Sequence, residues 1–205
     1  MSNRQVAATG IGSALLFAVG NALWATEQPD AGTAPAELLV FYSDTADRII
    51  VGGTLSLFSI ALFLVFASGL RRILLRAGDD DVLATAVFGG AILGSAAGLG
   101  AETINMAAAL RANDGALTAD LAQSLFEVSF VLGYNGAGVG LAVFVICTAL
   151  AALRSGGVMP GWLAAAMVVV GIAMLTPLVD LALLAGIPLI VVVSFYVLRG
   201  TTMRS

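Results

Sequence analysis

One apolar segment, residues 82–110, limits most strongly what this chain can fold into, because it is long and glycine-rich and carries Glu102 and Asn105 in its second half. About 20 apolar residues at roughly 1.5 Å each cross the hydrocarbon core of a bilayer, and this segment exceeds that length. A charged side chain is costly at membrane depth, so a carboxyl there is expected to face the interior of a helix bundle. The segment therefore predicts a membrane-spanning helix with a polar spot on its buried face.

The composition extends this prediction to the whole chain. Of its 205 residues, 60% are hydrophobic and 11% are charged, whereas a soluble domain has about 25% charged residues. Membrane spans and short connections use nearly all of that length. We therefore predict a single transmembrane domain that covers residues 1–205.

The apolar segments predict an all-α membrane protein, a six-transmembrane-helix bundle. The first segment is longer than the core of a signal peptide and lacks a good cleavage site, so we interpret it as a retained span. Five spans is the alternative, because Thr176 and Pro177 divide a last apolar region that is short for two spans. The predicted spans are approximately residues 6–25, 49–70, 82–110, 124–153, 160–175 and 177–198.

Local signals predict where the connections lie. Residues 26–48 are predicted to be mostly loop, with residues 36–42 forming a short apolar element along the membrane interface. Residues 124–127 have the spacing of a capping box at the start of the fourth span. Ser43, Asp44, Thr45 and Asp47 are predicted caps of the second span, and the predicted aromatic anchors at the membrane interface are Trp24, Tyr42, Trp162 and Tyr196.

The distribution of arginine predicts the orientation in the membrane. With six spans, only Arg48 and Arg111 lie on one side. The other side holds Arg4, Arg71, Arg72, Arg76, Arg154, Arg199 and Arg204. Because positive side chains favour the cytoplasmic side, we predict cytoplasmic termini and a multi-pass protein of the cytoplasmic (inner) membrane.

Missing residue types narrow the possible chemistry. The chain has no histidine and no lysine, which excludes histidine-ligated haem or zinc, nucleophiles paired with histidine and a retinal Schiff base. Cys147 is the only cysteine of the sequence, so no intrachain disulfide forms. We predict no catalytic residue, no metal, no cofactor and no nucleic-acid partner, and an enzyme acting on lipid is the least favoured function class.

Glu102 and Asn105 are three residues apart, so on a helix they share a face and act as one polar spot. Asn135, Asp180 and Glu127 are predicted to converge on that spot from the outer half of the bundle. The functional hypothesis is an outward-facing pocket that binds or conducts a small cation, a proton or an apolar or lipid ligand, with Glu102 protonated if the site is dry. The alternative is that Glu102 and Asn105 only join neighbouring helices, and that Glu127 and Asp180 stabilise helix dipoles.

Glycines at four-residue spacing, Gly94 with Gly98 and Gly136 with Gly140, are expected to let helices approach closely. Such small-residue faces support a second function hypothesis, a structural or accessory membrane subunit without transport or catalytic activity of its own. A homo-oligomer or a membrane partner protein would then cover them. Membrane lipids are the other predicted partner.

Three local patterns resemble a known group of proteins: Tyr42 and Arg48 before the second span, GLRR at residues 69–72, and VMPGWL at residues 158–163. Together they resemble uncharacterised small bacterial integral membrane proteins that are grouped as a domain of unknown function. The resemblance covers most of the chain and implies a six-helix fold. It carries no established activity.

Overall fold

A computed structural model describes residues 1–77, 81–155 and 159–199, and this part of the chain is helical apart from short connections. The π-helical segment Val131–Gly136 joins the fourth and fifth helices into one long helix, and a 3-10 turn, Ala25–Glu27, follows the first. The predicted all-α fold is therefore confirmed. The helices are α1 Asn3–Ala22, α2 Pro35–Arg76, α3 Asp81–Asn113, α4 Ala119–Phe130, α5 Ala137–Ser155, α6 Gly161–Ala173 and α7 Val179–Arg199.

Five helices in the described ranges are long and apolar enough to cross a membrane: α1, α2, α3, the joined α4 and α5, and α7. They indicate a multi-pass membrane protein. The remaining helix, α6, has 13 residues and is about 20 Å long, whereas the hydrocarbon core measures about 30 Å. The structure thus has the six predicted helical segments, but the fifth is too short for a full span.

Helix α2 corrects the prediction for residues 26–48. Instead of a loop with an interfacial element, a single helix of 42 residues begins at Pro35. Its predicted caps lie inside the helix, where the hydroxyls of Ser43 and Thr45 donate to carbonyl groups one turn earlier. One face of α2 packs against the core along this part of the helix, since its buried side chains recur with helical spacing. These are Leu38, Phe41, Tyr42, Thr45, Ala46 and Ile49.

Helix α4 begins earlier than predicted. Its first residue is Ala119, and the Thr118 hydroxyl accepts a hydrogen bond from the backbone N–H of Leu121. Ser124 and Glu127 lie inside the helix, so the predicted capping box at residues 124–127 is wrong. The chain prefers the earlier start because threonine is a favourable N-cap, and the following residues form an amphipathic helix.

The π-helical segment Val131–Gly136 was not predicted. It packs on α3, since a Cβ atom on Gly136 would lie 3.0 Å from Cβ of Ala97, and one on Gly133 would lie 3.4 Å from Cβ of Ala101. A π turn holds more residues than an α turn. The side chains before and after it are therefore rotated relative to those of an uninterrupted α-helix.

Helix α7 begins at Val179, two residues after the predicted start at Pro177. The predicted cap Thr176 still accepts a hydrogen bond, from the backbone N–H of Leu178. Asp180 lies in the first turn of α7, where a carboxylate interacts favourably with the helix dipole.

Contacts along α1 and α2 show that these helices run antiparallel. Gly20 lies against Gly52 near one end of the pair, and the Val6 side chain covers Gly69 near the other. We name the first the Trp24 end, which carries the connection between α1 and α2, and the second the Arg71 end. Helix α3 packs on α2 and α5, α6 packs on α5, and α7 packs on α1.

The described core contains two large apolar clusters with a layer of small residues between them, and a third, small cluster of Ala142, Met174 and Ala182. The cluster toward the Arg71 end contains Phe63 and Phe66 of α2 together with Phe144 of α5. The cluster toward the Trp24 end contains Trp24 and Tyr42. We call the part between them the small-residue layer, and its buried members include Ser13, Gly52, Gly53, Ser56, Ser59, Gly94, Ser95, Glu102 and Gly140.

Glycines in this layer set the distance between α3 and α5. A Cβ atom on Gly140 would lie 2.0 Å from the backbone nitrogen of Gly94. The two backbones are therefore in direct contact, as the four-residue glycine spacing predicts. Gly98 makes a looser contact, 3.7 Å from a methyl group of Ile60.

Candidate functional site

Glu102 lies in the small-residue layer, on the face of α3 that packs against α2. Its side chain is 8% exposed, which agrees with the expectation that the carboxyl faces the bundle interior. Gly53 of α2 makes room for it, since a Cβ atom on Gly53 would lie 3.4 Å from Glu102 Oε2 and 2.7 Å from the Met106 side chain. The site thus depends on glycine at a helix crossing.

The carboxyl of Glu102 is not neutralised by a cation in the part of the chain that the structure describes. Its Oε2 atom has no hydrogen-bond partner there. Ser56 of α2 lies close to the carboxyl, but its Oγ atom also lacks a partner with hydrogen-bond geometry among the described residues. An unsatisfied buried polar group costs about 1–3 kcal/mol, and a charged group costs more.

Asn105 is satisfied by neighbouring helices. Its Oδ1 atom accepts a hydrogen bond of 2.8 Å from the hydroxyl of Tyr42 on α2 and one of 3.0 Å from the hydroxyl of Ser129 on α4. All three side chains are buried. Asn105 therefore joins three helices, which is the structural alternative considered for it, while Oε2 of its neighbour Glu102 has no partner among the described residues.

This network corrects the role predicted for Tyr42. The side chain is fully buried, so Tyr42 is not an aromatic anchor at the membrane interface. Trp24 is also buried, with 5% exposure. Both rings belong to the apolar cluster toward the Trp24 end.

The other three predicted site residues occupy exposed positions. Asn135 lies on the π-helical segment, and Asp180 lies in the first turn of α7. Glu127 accepts a hydrogen bond of 2.8 Å from the side-chain amide of Gln123, one turn earlier on α4. The structure thus brings Glu102 and Asn105 together on a buried face and leaves Asn135, Asp180 and Glu127 outside it.

Sequence reasoning missed Ser56, Tyr42 and Ser129. A signal existed for Tyr42, since it belongs to the helical repeat of buried residues that runs from Leu38 to Ile49. Ser56 follows Gly52 and Gly53 on a face of small residues, a pattern that indicates close helix packing. Nothing in the sequence indicates that Ser56 lies beside Glu102.

The position of Gly53 gives the depth of the Glu102 carboxyl. The apolar part of α2 begins at Ile49, after the exposed Asp47 and Arg48. Gly53 is one turn further, or about 6 Å along the helix, and about 25 Å of helix separates it from the apolar end at Leu70. Glu102 is therefore much closer to the Trp24 end of the apolar region than to the Arg71 end.

The same residues give little scope for a metal ion. Within the described ranges, no group of three or more histidine, cysteine, aspartate and glutamate side chains is placed to hold one. Glu102 and Ser56 together supply fewer oxygen ligands than the six to eight that Ca²⁺ takes.

Fold and site define a multi-pass α-helical membrane protein with a buried carboxyl in the small-residue layer. No family model, no curated protein and no solved structure matches this chain. The resemblance to uncharacterised bacterial membrane proteins therefore stays a prediction.

Proposed function

We propose that this chain is a proton carrier of a membrane, in which Glu102 takes up and releases the proton. The observation that supports the proposal is the buried Oε2 atom of Glu102, which has no partner among the described residues. A carboxyl in such a place avoids the cost of a buried charge by binding a proton. A conformation that admits water would favour its release.

A carrier fits the structure better than an open channel. Between Glu102 and the Arg71 end lie the packed rings of Phe63, Phe66 and Phe144, with 5.0 Å between the ring centroids of Phe63 and Phe144. The small cavity beside them, of about 10 Å³, is at the lower limit of what can hold one water molecule. Transfer across the bundle thus requires the helices to rearrange around Glu102.

A proton also fits the site better than a metal cation or an apolar ligand. A proton needs a single carboxyl oxygen, whereas hard cations need a shell of oxygen ligands. An apolar ligand would gain nothing from an unpaired carboxyl, because that group costs free energy when water is displaced from it.

The proposal places the Trp24 end outside and the Arg71 end in the cytoplasm, in the cytoplasmic membrane. The arginine distribution supports this orientation. Lipids are the proposed partners of the outer surface of the bundle, which exposes many large apolar side chains. Examples from different helices are Leu15, Val51, Phe58, Leu93, Val169, Leu184 and Phe195.

An accessory subunit is the weaker proposal. It was suggested by the small-residue faces, but Gly94 and Gly140 are used within the chain, where they hold α3 against α5. These two glycines therefore need no partner protein to explain them.

The experiment that tests the proposal is proton uptake by vesicles that contain the purified protein and a pH-sensitive dye. A potassium diffusion potential drives protons inward. Wild-type protein should acidify the vesicles faster than empty vesicles, and Glu102→Gln should abolish the difference, because the amide has nearly the same shape but does not bind a proton. Glu127→Gln is the matched control, since Glu127 is an exposed glutamate of the same bundle, and it should keep the wild-type rate.

Two results would contradict the proposal. Wild-type protein that acidifies the vesicles no faster than empty vesicles would exclude proton transfer. Equal rates for wild type and Glu102→Gln would exclude Glu102 as the proton-binding group. The thermal midpoint of each variant shows that its fold is retained.

A further inference from the structure

We infer that protons reach Glu102 from the Trp24 end through the crossing of α1 and α2, with Ser56 as the relay and Trp24 as the side chain that closes the path. This inference rests on the proposed proton binding by Glu102. It adds two residues and one direction of access to that site.

The path is marked by buried polar atoms without partners in the described structure. Ser56 Oγ and Trp24 Nε1 share this property with Glu102 Oε2. Ser56 is completely buried, and Trp24 is 5% exposed. Each of these atoms can make a hydrogen bond to water, and bound water usually satisfies such groups in protein interiors.

The glycine crossing of α1 and α2 places these atoms in sequence. A Cβ atom on Gly52 would lie 3.1 Å from Trp24 Nε1, and one on Gly20 would lie 3.1 Å from Ser56 Oγ. Ser56 therefore lies between the crossing with α1 and the carboxyl on α3. Along α2 it is one helical turn further from the Trp24 end than Gly52, the residue that Trp24 covers. The absence of side chains on both glycines leaves the polar atoms facing this narrow interface.

Ser56 can pass a proton without a net change. Its hydroxyl gives its own proton to the Glu102 carboxylate while its oxygen accepts one from a hydronium ion on the Trp24 side, which leaves as water. The carboxyl becomes neutral and the hydroxyl is restored, so no further reactant is needed.

On the α4 side of the site, the hydroxyls of Tyr42 and Ser129 are already engaged in hydrogen bonds. Asn105 Oδ1 accepts hydrogen bonds from both Tyr42 and Ser129, and an amide oxygen has no proton to pass on. The short distance from Glu102 to the Trp24 end, about one helical turn, also favours access through the α1–α2 crossing.

Charged groups on the surrounding helices lie at the surface of the bundle. Apart from Tyr42, the ionisable side chains of α2, α3 and α4 at the Trp24 end are exposed, and Tyr134 of the π-helical segment is half-buried. Ser56 is the polar group that lies both beside Glu102 and at the α1–α2 crossing. The exposed groups are Glu37, Asp44, Asp47, Arg48, Arg111, Asp120 and Glu127.

The test is the rate at which the Glu102 carboxyl exchanges its proton for deuterium, followed by infrared spectroscopy of the protein in lipid after mixing with heavy water. The Glu102 band is the carboxyl band that is missing in Glu102→Gln. Ser56→Ala should slow its exchange by at least about a hundredfold, the lower end of the range for loss of a positioned proton-transfer group. Ser59→Ala is the matched control, because the Ser59 hydroxyl one turn away is bonded to Ser13, and it should exchange at the wild-type rate.

The outcomes separate this inference from the proposed function. A Glu102 band that exchanges equally fast in wild type and Ser56→Ala would overturn the path and leave proton binding intact. A spectrum with no band that depends on Glu102 would overturn proton binding itself. Trp24→Ala should speed up the exchange by opening the path, and unchanged exchange in a folded Trp24→Ala protein would exclude Trp24 as the closing side chain.

Discussion

Replacement of Gly140 by alanine tests how the small-residue layer is held together. The new Cβ atom would lie 2.0 Å from the nitrogen of Gly94, 2.4 Å from its Cα and 2.8 Å from the carbonyl carbon of Leu93. Carbon atoms prefer separations of about 3.5–4.0 Å. Helices α3 and α5 would therefore have to move apart by more than about 1 Å.

The size of the effect follows from the atoms involved. Overpacking of an interior costs about 1–3 kcal/mol, and this clash falls on backbone atoms, which cannot rotate away as a side chain does. We therefore expect Gly140→Ala to lower the free energy of unfolding by about 3 kcal/mol. For a chain of this length, 1 kcal/mol changes the midpoint by about 2–4 °C, so the expected decrease is about 6–12 °C.

Cys147 provides the assay, because it is the only cysteine of the sequence and is partly buried. A dye that fluoresces on reaction with a thiol reports its exposure when the protein is heated in mild detergent, and loss of helical circular dichroism is a second readout. Gly89→Ala is the control on α3, since nothing lies within 4 Å of its Cβ position. Gly89→Ala should keep or raise the midpoint, and a Gly140→Ala protein as stable as wild type would refute the backbone contact.

Two further predictions concern the Trp24 end. Tyr42→Phe should lower the free energy of unfolding by about 1 kcal/mol because Asn105 loses one of two donors; an unchanged midpoint in the same assay would show that this hydrogen bond is not needed. Hydrogen bonds of 2.6 Å from Arg48 hold the pKa of the Glu27 carboxyl below its ordinary value of 4.5. The ion pair therefore stabilises the folded state at pH values above 4.5, and this stabilisation is lost as the pH falls through the lowered pKa. Thermal midpoints by circular dichroism should therefore place wild type above Glu27→Gln at neutral pH but not in strong acid, and a difference that persists in acid would contradict the ion pair as its cause.

Most helices were predictable from the sequence because apolar length and composition decide them. The error in α2 came from Asp44, Asp47 and Arg48, which suggested a loop although they lie on the exposed face of a regular helix. The apolar repeat from Leu38 to Ile49 contained the correct information. The π-helical segment had no comparable signal, because its glycines are equally typical of close packing in an α-helix.

The candidate site was predictable only in part. The burial of Glu102 follows from the cost of a charge in an apolar segment. The identity of this residue and its position in the sequence were therefore enough to predict that it is buried. The bond between Tyr42 and Asn105 joins residues 63 positions apart, and it depends on how α2 and α3 are rotated against each other. Only the packed structure shows that Asn105 has its hydrogen-bond partners whereas Oε2 of Glu102 has none among the described residues.

Helix α6 has a consequence for the lipid around the bundle. It covers about 20 Å of a hydrocarbon core of about 30 Å, and the turn after it exposes Leu175 and Leu178. That turn satisfies much of its backbone locally, since the N–H groups of Leu175 and Thr176 donate to carbonyls three residues earlier, which allows it to lie below the head groups. A bilayer meets such a short helix by becoming thinner beside it, so the corner formed by α6 and α7 should gather lipids with short acyl chains and favour thin membranes over thick ones.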